Sequence, residues 1–306
     1  MVETSDEWIR ERTGIGERHV SVGETVVTLA SEATRKALEQ AGKRAEEIDL
    51  ILVATCSPEQ YLPCCACQVQ AAIGAVNALA FDVNAACSGF LFALNTADAY
   101  LRTGLAENAL VIGSEVLSKL VDRSTCILFG DGAGAVVVER CEASPGILGR
   151  ALHSDGTGGG VLQCGARELT TPYARTSAAK TDQKQQTDDR EHYIQMDGQE
   201  VYRFATRRVP QCIEEALADA GLAVPDIDLF VLHQANARII DAVAKRLHAD
   251  REKFPTNLER VGNLSSASIP VLLDEQHRQG KLHRGDRIVL AGFGAGLTIG
   301  ACVMTW

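Results

Sequence analysis

The feature that most constrains this chain is an internal repeat. Residues 37–50 carry Ala-Leu-x-x-Ala-Gly and then Ile-Asp-Leu, and residues 216–229 carry the same residues at the same spacing. Every matched position is separated from its partner by 179 residues. The same shift places Cys87 opposite Ser266. A constant offset over several elements indicates a duplicated structural unit rather than a set of chance identities.

Each copy of the repeat alternates helices with short buried strands. Apolar residues at helical spacing predict helices over residues 25–42 and 201–221, each ending in glycine, and apolar strands follow at 49–55 and 228–233. Strands that alternate with helices form largely parallel sheets covered by helices. The repeat therefore predicts a layered α/β fold made of two duplicated halves.

The boundary between the halves is predicted near residues 143–149. The N-terminal half, residues 1–143, would carry the candidate nucleophile described below, and the C-terminal half would comprise residues 144–306. The stretch 166–192 is strongly polar and is predicted to be an inserted surface loop.

Composition narrows the class of protein and its partners. The chain has 306 residues, 46% hydrophobic and 23% charged, which is typical of a folded globular protein. Its formal net charge of −10 argues against nucleic acid or an anionic membrane as a partner, and no apolar run is long enough for a membrane span. Ten cysteines without a signal region indicate a reducing, cytoplasmic compartment.

Cys64 and Cys67 form a C-x-x-C pair, but this pair does not predict a metal site. A second pair and a neighbouring histidine are both missing from the surrounding sequence, which instead has the apolar character of a packed helix. No metal is expected.

Cys87 lies where a predicted strand meets a predicted helix. The strand over residues 78–83 runs into Asn-Ala-Ala-Cys-Ser-Gly, and an apolar helix begins at Gly89. Ligands gather at such junctions because helix N-termini present unpaired N–H groups and a positive dipole end. That dipole, with any nearby imidazolium, is expected to lower the pKa of the thiol and to favour the nucleophilic thiolate. A small packed core residue is the alternative interpretation.

Two further polar side chains occupy similar junctions in the second half. His233 ends the predicted strand 228–233, and Asn263 belongs to a polar turn that precedes a helix. A histidine that satisfies a backbone group and an asparagine that caps a helix are the structural alternatives. Pseudo-twofold symmetry would bring both residues towards Cys87, and this combination suits acyl transfer through a thioester.

The strings that contain these residues resemble the β-ketoacyl-acyl-carrier-protein synthase III family, thiolase-like condensing enzymes that start type II fatty-acid synthesis. The resemblance covers nearly the whole chain. It is carried by Thr-Ser-Asp-Glu-Trp from Thr4, Asn-Ala-Ala-Cys-Ser-Gly from Asn84, Phe-Gly-Asp-Gly-Ala-Gly-Ala from Phe129, His-Gln-Ala-Asn from His233, and Gly-Asn from Gly262. It implies a thiolase-like layered αβαβα fold.

The resemblance also implies a two-step reaction. Cys87 would take an acyl group from acyl-coenzyme A, and malonyl-acyl carrier protein would then lose carbon dioxide and attack the acyl-enzyme. His233 and Asn263 would stabilise the enolate, while the backbone N–H groups of Cys87 and Ala295 would form the oxyanion hole. No cofactor is implied, because the coenzyme A thioester is a substrate. The family resemblance further implies a homodimer.

Substrate contacts follow from the same resemblance. Trp8 and Arg123 would flank the adenine of coenzyme A, Arg12 would lie near its phosphates, and Asn236 would line the pantetheine tunnel. Positions that dock the acidic carrier protein are matched by Arg203, Arg238, Lys245 and Arg246. The acyl pocket would be walled by Phe129 and by Leu62 from the neighbouring subunit. Leucine in place of the phenylalanine common at this position suggests room for a longer or branched primer.

Three departures from the family pattern lead to further expectations. A strand and a short helix normally precede the segment that starts at Thr4, so one sheet is expected to have an unpaired edge. The loop before Arg123 is a few residues short, which weakens the proposed adenine contact. Leu264 replaces the usual threonine after Asn263, as in polyketide-type condensing enzymes.

The amino-acid sequence leaves other functions open. A ketosynthase or acyltransferase of polyketide or other secondary metabolism would keep the fold and change the substrate. A non-decarboxylating thiolase would need a second acid/base cysteine, and Cys302 lies in a predicted strand rather than in the expected turn. An inactive acyl-binding scaffold is the alternative from a different class.

Overall fold

The structure is a computed structural model that describes residues 4–141, 146–165 and 192–306. The predicted boundary between residues 143 and 144, and almost all of the polar stretch 166–192, lie outside the described residues. The helices are α1 Asp6–Thr13, α2 Val26–Ala41, α3 Cys65–Ile73, α4 Gly89–Arg102, α5 Gly198–Ala220, α6 Ala237–Arg246, α7 Leu258–Val261 and α8 Ser268–Arg278. The strands are β1 Leu50–Ala54, β2 Leu79–Val83, β3 Asn108–Glu115, β4 Gly132–Glu139, β5 Ile147–Ser154, β6 Leu162–Gln163, β7 Gln195–Met196, β8 Leu229–Leu232, β9 Arg287–Gly294 and β10 Thr298–Thr305.

Two four-stranded sheets form the centre of the molecule. The first has the order β2-β1-β3-β4, with β4 antiparallel to β3 and the other pairs parallel. The second has the order β5-β10-β9-β8, in which only β8 and β9 are parallel. Strands β6 and β7 form a small separate pair.

The layers follow from which face of each strand is buried against which helix. On β1, Leu50 and Leu52 pack into a cluster with α4, α8 and the second sheet, while Ile51 and Val53 pack towards α2 and α3. A third cluster joins the other face of the second sheet to α5 and α6. The order is therefore helices, sheet, helices, sheet, helices, which confirms the predicted αβαβα fold.

The repeat seen in the sequence has the same register in three dimensions. Strand β3 and strand β9 begin and end 179 positions apart, and the 3-10 turns Ala86–Ser88 and Ser265–Ala267 keep the same offset. Helices α2 and α5 both end at a glycine in the left-handed conformation, Gly42 with φ 63° and Gly221 with φ 67°. Glycine suits this position because it has no Cβ to clash.

The two halves differ at the edges of their sheets. Strand β2 and the short helix α7 occupy corresponding stretches of sequence, so the second sheet has no counterpart of β2. Conversely, β5 flanks β10, whereas within the described ranges no strand flanks β4, the counterpart of β10. Among the described strands, β4 is therefore an outer strand of the first sheet. Beside it runs a groove of about 840 Å³ whose lining includes Val136, Val138 and Trp306.

None of the described helices combines the length and apolar character needed to cross a bilayer. Cys64 occupies the N-cap position of α3 and Cys67 lies within the helix, as predicted for a packed helix. Within the described ranges, no group of histidine, cysteine and acidic side chains could hold a metal ion.

Candidate active site

The Cys87 turn is held by backbone geometry that its small residues permit. Strand β2 ends at Val83, a 3-10 turn spans Ala86–Ser88, and α4 begins at Gly89. Ala86 has a positive φ of 47°, and its N–H donates to Oδ1 of Asn84 at 3.3 Å. A non-glycine residue rarely adopts such a φ, and it persists only where the surroundings require it. The turn places Cys87 at the N-terminus of α4, as the sequence predicts.

The thiol of Cys87 is buried, and this changes the expected electrostatics. Burial raises the pKa of Cys87 to about 12, while the hydroxyl of Ser265 hydrogen-bonds to the thiol and acts in the opposite direction. The expectation that the helix dipole and an imidazolium would favour the thiolate is therefore wrong for the free protein. Desolvation, which disfavours the charged form, is the largest cause of this rise.

Strand β9 brings His233 and Cys87 to one face of the second sheet. A Cβ atom added at Gly292 would lie 3.3 Å from Cβ of His233, and one added at Gly294 would lie 2.7 Å from the backbone N of Cys87. Residues two apart on a strand point to the same side and are about 7 Å apart. The imidazole and the nucleophile turn are therefore neighbours, and both glycines are needed for that close approach.

His233 is neutral and held in place by an aromatic neighbour. Its backbone N–H donates to the carbonyl of Ala291 at 2.8 Å, and its ring meets Phe293 edge to face with centroids 5.5 Å apart. Burial lowers the pKa of His233 to about 3, so no imidazolium forms near neutral pH. Nδ1 is buried without a hydrogen-bond partner in the described structure, which distinguishes this residue from a histidine that merely satisfies the backbone.

Asn263 lies in the corresponding turn of the second half. Its backbone N–H donates to the carbonyl of Leu128 at 2.9 Å, and its side-chain Oδ1 accepts from the N–H of Ser265 at 2.8 Å. With Oδ1 engaged in this way, the Nδ2 group is left as a donor. Because Ser265 also contacts Cys87, the turn places Asn263 beside the nucleophile.

Ala295 follows Gly294 directly and is therefore adjacent to the Cys87 backbone. Its carbonyl accepts from the hydroxyl of Thr298 at 2.9 Å, and the same hydroxyl lies 3.1 Å from the carbonyl of Ala85. The two turns that carry the predicted oxyanion donors are thus tied together by one side chain.

The residues predicted to bind coenzyme A are only partly brought together. The guanidinium of Arg12 lies over the ring of Trp8, 5.7 Å from its centroid, and Nδ2 of Asn236 donates to the carbonyl of Arg12 at 3.2 Å. Arg123 is exposed in a turn stabilised by Asp122. No hydrogen bond, ion pair or ring contact joins Arg123 to Trp8 among the described side chains.

The predicted acyl-pocket residues occupy two different environments. Phe129 is buried with Leu117 and Ile194, and it forms an isolated parallel bridge with Asn263. Leu62 is 85% exposed on the surface of its own chain, so it does not wall a pocket within that chain.

The predicted docking cations lie on two adjacent helices of the second half. Arg203 is on α5, where it pairs with Glu200, and Arg238 is in the first turn of α6, where it donates to the carbonyl of Glu11 at 2.9 Å. Lys245 and Arg246 are exposed in the last turn of α6 and form no ion pair with a described residue.

Sequence reasoning missed Glu115 at the end of β3. The residue is fully buried, and its carboxyl group is contacted by the hydroxyls of Ser57, Ser265 and Ser266 at 2.6, 3.1 and 2.8 Å. The sequence did contain a signal for this residue. Glu115 ends an apolar strand, where a charged side chain interrupts an otherwise buried pattern, and its counterpart in the repeat is Gly294.

Comparison with known proteins agrees with the geometry. Residues 81–156 match the family described as 3-oxoacyl-[acyl-carrier-protein (ACP)] synthase III, and residues 217–306 match the family of its C-terminal part. The chain is 47% identical to a protein of Clostridium acetobutylicum named beta-ketoacyl-[acyl-carrier-protein] synthase III, over 309 aligned residues that cover 100% of the chain and 92% of the relative.

Solved structures give the same result. The 3-oxoacyl-[acyl-carrier-protein] synthase III of Aquifex aeolicus is similar with a TM-score of 0.90 and 42% identity, covering 100% of the chain and 92% of that structure. A priming beta-ketosynthase from the R1128 polyketide biosynthetic pathway is similar with a TM-score of 0.88 and 36% identity, covering 99% of the chain and 89% of that structure.

Proposed function

The chain belongs to the β-ketoacyl-[acyl-carrier-protein] synthase III family, the acyl-transferring condensing enzymes of fatty-acid biosynthesis, and we propose that Cys87, His233 and Asn263 carry its reaction. The substrates we propose are an acyl-coenzyme A and malonyl-acyl carrier protein, with no further cofactor. The observation that carries the assignment is the packing of Cys87 and His233 on Gly294 and Gly292 of β9.

The first step transfers the acyl group to Cys87. The sulfur attacks the thioester carbonyl, the bond from the acyl carbon to the coenzyme A sulfur breaks, and the thiol proton passes to the leaving thiolate. Burial raises the pKa of Cys87 to about 12, so the group rests as a thiol and releases its proton as the sulfur attacks. The N–H groups of Cys87 and Ala295 are proposed to bind the oxyanion, and each such donor is typically worth about 3–4 kcal/mol.

The second step is decarboxylation and condensation. The malonyl thioester loses carbon dioxide and becomes an enolate. The enolate carbon attacks the acyl carbonyl on Cys87, and the bond from that carbonyl carbon to the Cys87 sulfur breaks. The Cys87 thiolate that leaves takes a proton from solvent. Neutral His233 and the Nδ2 group of Asn263 would donate to the enolate oxygen. Burial that lowers the pKa of His233 to about 3 supports this role, since a neutral donor stabilises the enolate without quenching it by protonation.

Coenzyme A is proposed to enter beside α1 and α6. Trp8 offers an exposed ring for the adenine, Arg12 a charge for the phosphates, and Asn236 a position at the start of α6. Arg123 makes no contact with Trp8 among the described side chains, and it is proposed to reach the adenine from its exposed turn.

The carrier protein is proposed to dock on α5 and α6. On a chain with net charge −10, a cluster of cations steers an acidic partner to one face. The residues proposed for docking are Arg203, Arg238, Lys245 and Arg246.

A homodimer through the edge of β2 is proposed to complete the acyl pocket. Strand β2 ends its sheet, and Asp82 on β2 caps α3 by accepting from the N–H groups of Cys65 and Ala66 at 2.8 and 2.7 Å. The exposed Leu62 lies just before α3 and is therefore near this edge. In a dimer it could reach the partner's pocket beside Phe129.

Intact-mass spectrometry tests this assignment. Incubation with acetyl-coenzyme A should add one acetyl group, which peptide mapping should place on Cys87, and malonyl-acyl carrier protein should then release it as the acetoacetyl product. Absence of an adduct with any acyl-coenzyme A would contradict the proposal. An adduct with a longer acyl donor but not with acetyl would instead support a priming ketosynthase of polyketide type, an alternative favoured by buried Leu264 and by the similarity to such an enzyme.

A further inference from the structure

Glu115 is a buried carboxyl group that the proposed reaction does not use. It is fully buried at the end of β3, and none of the described arginines, lysines or histidines forms an ion pair with it. A buried carboxylate without a cation is costly, because the charge loses its hydration. The group must therefore be stabilised by its hydrogen bonds or carry a proton.

The donors around Glu115 come from both halves of the molecule. In the loop after β1, the N–H of Cys56 lies 3.3 Å from Oε1 and 3.2 Å from Oε2, and the hydroxyls of Thr55 and Ser57 lie 3.2 and 2.6 Å from Oε2. In the turn that follows Asn263, the hydroxyl of Ser265 lies 3.1 Å from Oε1. These contacts fit either protonation state, since each donor can point at a carboxylate or carboxylic acid oxygen.

Ser266 distinguishes the two states. Its hydroxyl oxygen lies 2.8 Å from the carbonyl of Ala54 and also 2.8 Å from Oε1 of Glu115. A serine hydroxyl has one proton and can donate to only one of these acceptors, and the backbone carbonyl has no proton to give. Both short contacts are satisfied together if Glu115 donates to Ser266 and Ser266 donates to Ala54.

We propose that Glu115 is protonated in the folded enzyme and acts as a positioning residue, a neutral clamp that fixes the Asn263–Ser266 turn against the first half. Asn263 is held by the N–H of Ser265 at 2.8 Å, and Ser265 and Ser266 are both held by Glu115. The clamp therefore sets where the Nδ2 group of Asn263 points. This inference rests on the proposed role of Asn263.

A neutral clamp also suits the chemistry beside it. The titratable groups that face Glu115 are Cys56, whose sulfur lies 3.5 Å from Oε1, and Cys87, which it reaches through Ser265. Burial raises the pKa of Glu115 above its usual value. A negative charge on Glu115 is among the causes that raise the pKa of Cys87, and it would oppose the enolate, whereas the acid form does neither.

The first measurement is infrared difference spectroscopy of the full-length protein near neutral pH. The spectrum of the wild type minus that of Glu115→Gln should contain the carbonyl stretch of a protonated carboxylic acid. A carboxylate band in its place would overturn the proposal. This readout needs no substrate, so it stands even if no acyl group is ever found on Cys87.

The second measurement is the rate of Cys87 alkylation by iodoacetamide against pH, followed by the mass of the peptide that contains Cys87. Glutamine is neutral and keeps a donor for Ser266, so the apparent thiol pKa should be unchanged in Glu115→Gln. A shift to lower pH of about one unit or more would show that a negative charge had been removed, and would overturn the proposal.

Turnover then separates positioning from general stability. Condensation by Glu115→Gln should stay within about threefold of wild type, whereas Glu115→Ala, which leaves several hydroxyls unpaired, should lose about 10²-fold or more in condensation and less in acylation. Equal losses in glutamine and alanine variants would contradict the clamp. If the alanine variant does not fold, the infrared and alkylation results on the glutamine variant still decide the question.

Discussion

The turns at residues 84–89 and 263–268 have the same backbone conformation. In each, an asparagine side chain accepts the N–H of the residue two positions later, from Ala86 at 3.3 Å and from Ser265 at 2.8 Å. Those two residues have almost the same positive φ, 47° and 49°. The two turns therefore have the same backbone conformation, and the difference between them lies in their side chains.

Each turn is packed against the end of a strand from the other half. The Cys87 turn lies on Gly294 of β9, and the Ser266 turn lies on Gly113 of β3, where an added Cβ would be 2.3 Å from the carbonyl oxygen of Ser266. Two residues beyond Gly113, the first half has Glu115, and in the repeat its counterpart is Gly294. The side chain of Glu115 therefore contacts the Asn263 turn, whereas Gly294 presents only its backbone to the Cys87 turn.

Replacement of Cys87 should have the largest effect, because it removes the proposed nucleophile. The corresponding Ser266 of the second half shows that a hydroxyl at this place in the turn is compatible with the fold. Cys87→Ser should abolish the acyl adduct observed by intact mass after incubation with acyl-coenzyme A. Cys126→Ser, which removes an exposed thiol, is the matched control and should be acylated normally. An adduct that persisted in Cys87→Ser would place the nucleophile elsewhere.

Removal of the donors of the second half should come next. His233→Ala and Asn263→Ala should each reduce decarboxylation of malonyl-acyl carrier protein by about 10²–10³-fold, the typical effect of one lost oxyanion donor, and should reduce acylation much less. Single-turnover assays of each step measure the division. If both variants lost acylation as completely as decarboxylation, the second-half residues would have no separate role.

Two strand glycines, each packed against the turn of the other half, offer a pair of substitutions. Gly294→Ala should impair acylation and Gly113→Ala should impair decarboxylation, each with a loss of about 1–3 kcal/mol in unfolding free energy, because the added methyl group overlaps backbone atoms. Gly156→Ala is the control, since no atom lies within 4 Å of its Cβ position. Urea denaturation and the two half-reaction assays supply the measurements, and an inverted pattern of effects would contradict the comparison.

Two buried titratable groups, His233 in the second half and Glu115 in the first, should change the free energy of unfolding with pH in opposite directions. Because the folded pKa of His233 is about 3 against a usual 6.5, its contribution is complete above pH 6.5 and is lost as pH falls towards 3. The pKa of Glu115 is raised from 4.5, so its contribution is complete below pH 4.5 and is lost as pH rises through the folded pKa. Urea denaturation at a series of pH values measures these changes. In His233→Asn the loss of unfolding free energy as pH falls should be smaller than in the wild type, and in Glu115→Gln the loss as pH rises should be absent. Unaltered profiles in both variants would refute the assignment.

The smallest effect is expected at the surface, where the halves differ in charge. The repeat places Glu24 and Glu59 opposite Arg203 and Arg238, so the charges of the two halves are opposite at these positions. Arg238→Glu or Lys245→Glu should raise KM for the carrier-bound substrate by about two- to fivefold, in line with about 0.2–1 kcal/mol for an exposed ion pair. KM for a pantetheine thioester is the control, and an equal rise in both would argue against docking.

The sequence alone predicted the parts of this comparison that depend on periodicity. The offset of 179 residues located β1 and β8, β3 and β9, and the two turns, because apolar spacing and terminal glycines are local signals. Cys87, His233 and Asn263 were found because junctions of strands and helices can be read from the same signals, and the family resemblance singled out the same residues.

What the sequence did not predict depends on burial by distant segments. The raised pKa of Cys87 results from packing by residues remote in the chain, and it reversed the expectation based on the helix dipole. The role of Glu115 depends on hydroxyls that lie 58 and 150 positions away. No local pattern contains such information, since it arises only when the two halves meet.

The free edge of β4 affects how the protein behaves at high concentration. Among the described strands none pairs with the outer N–H and C=O groups of β4, which lie beside an apolar groove that contains Val136 and Val138, and a valine-rich edge of this kind is a template for another strand. Self-association through such an edge is a collision between molecules, so its rate grows with the square of concentration. At the margin of the groove, Lys43 forms an ion pair with Glu139 of β4 at 2.9 Å, and charged side chains of this kind beside an edge strand disfavour its pairing with another strand.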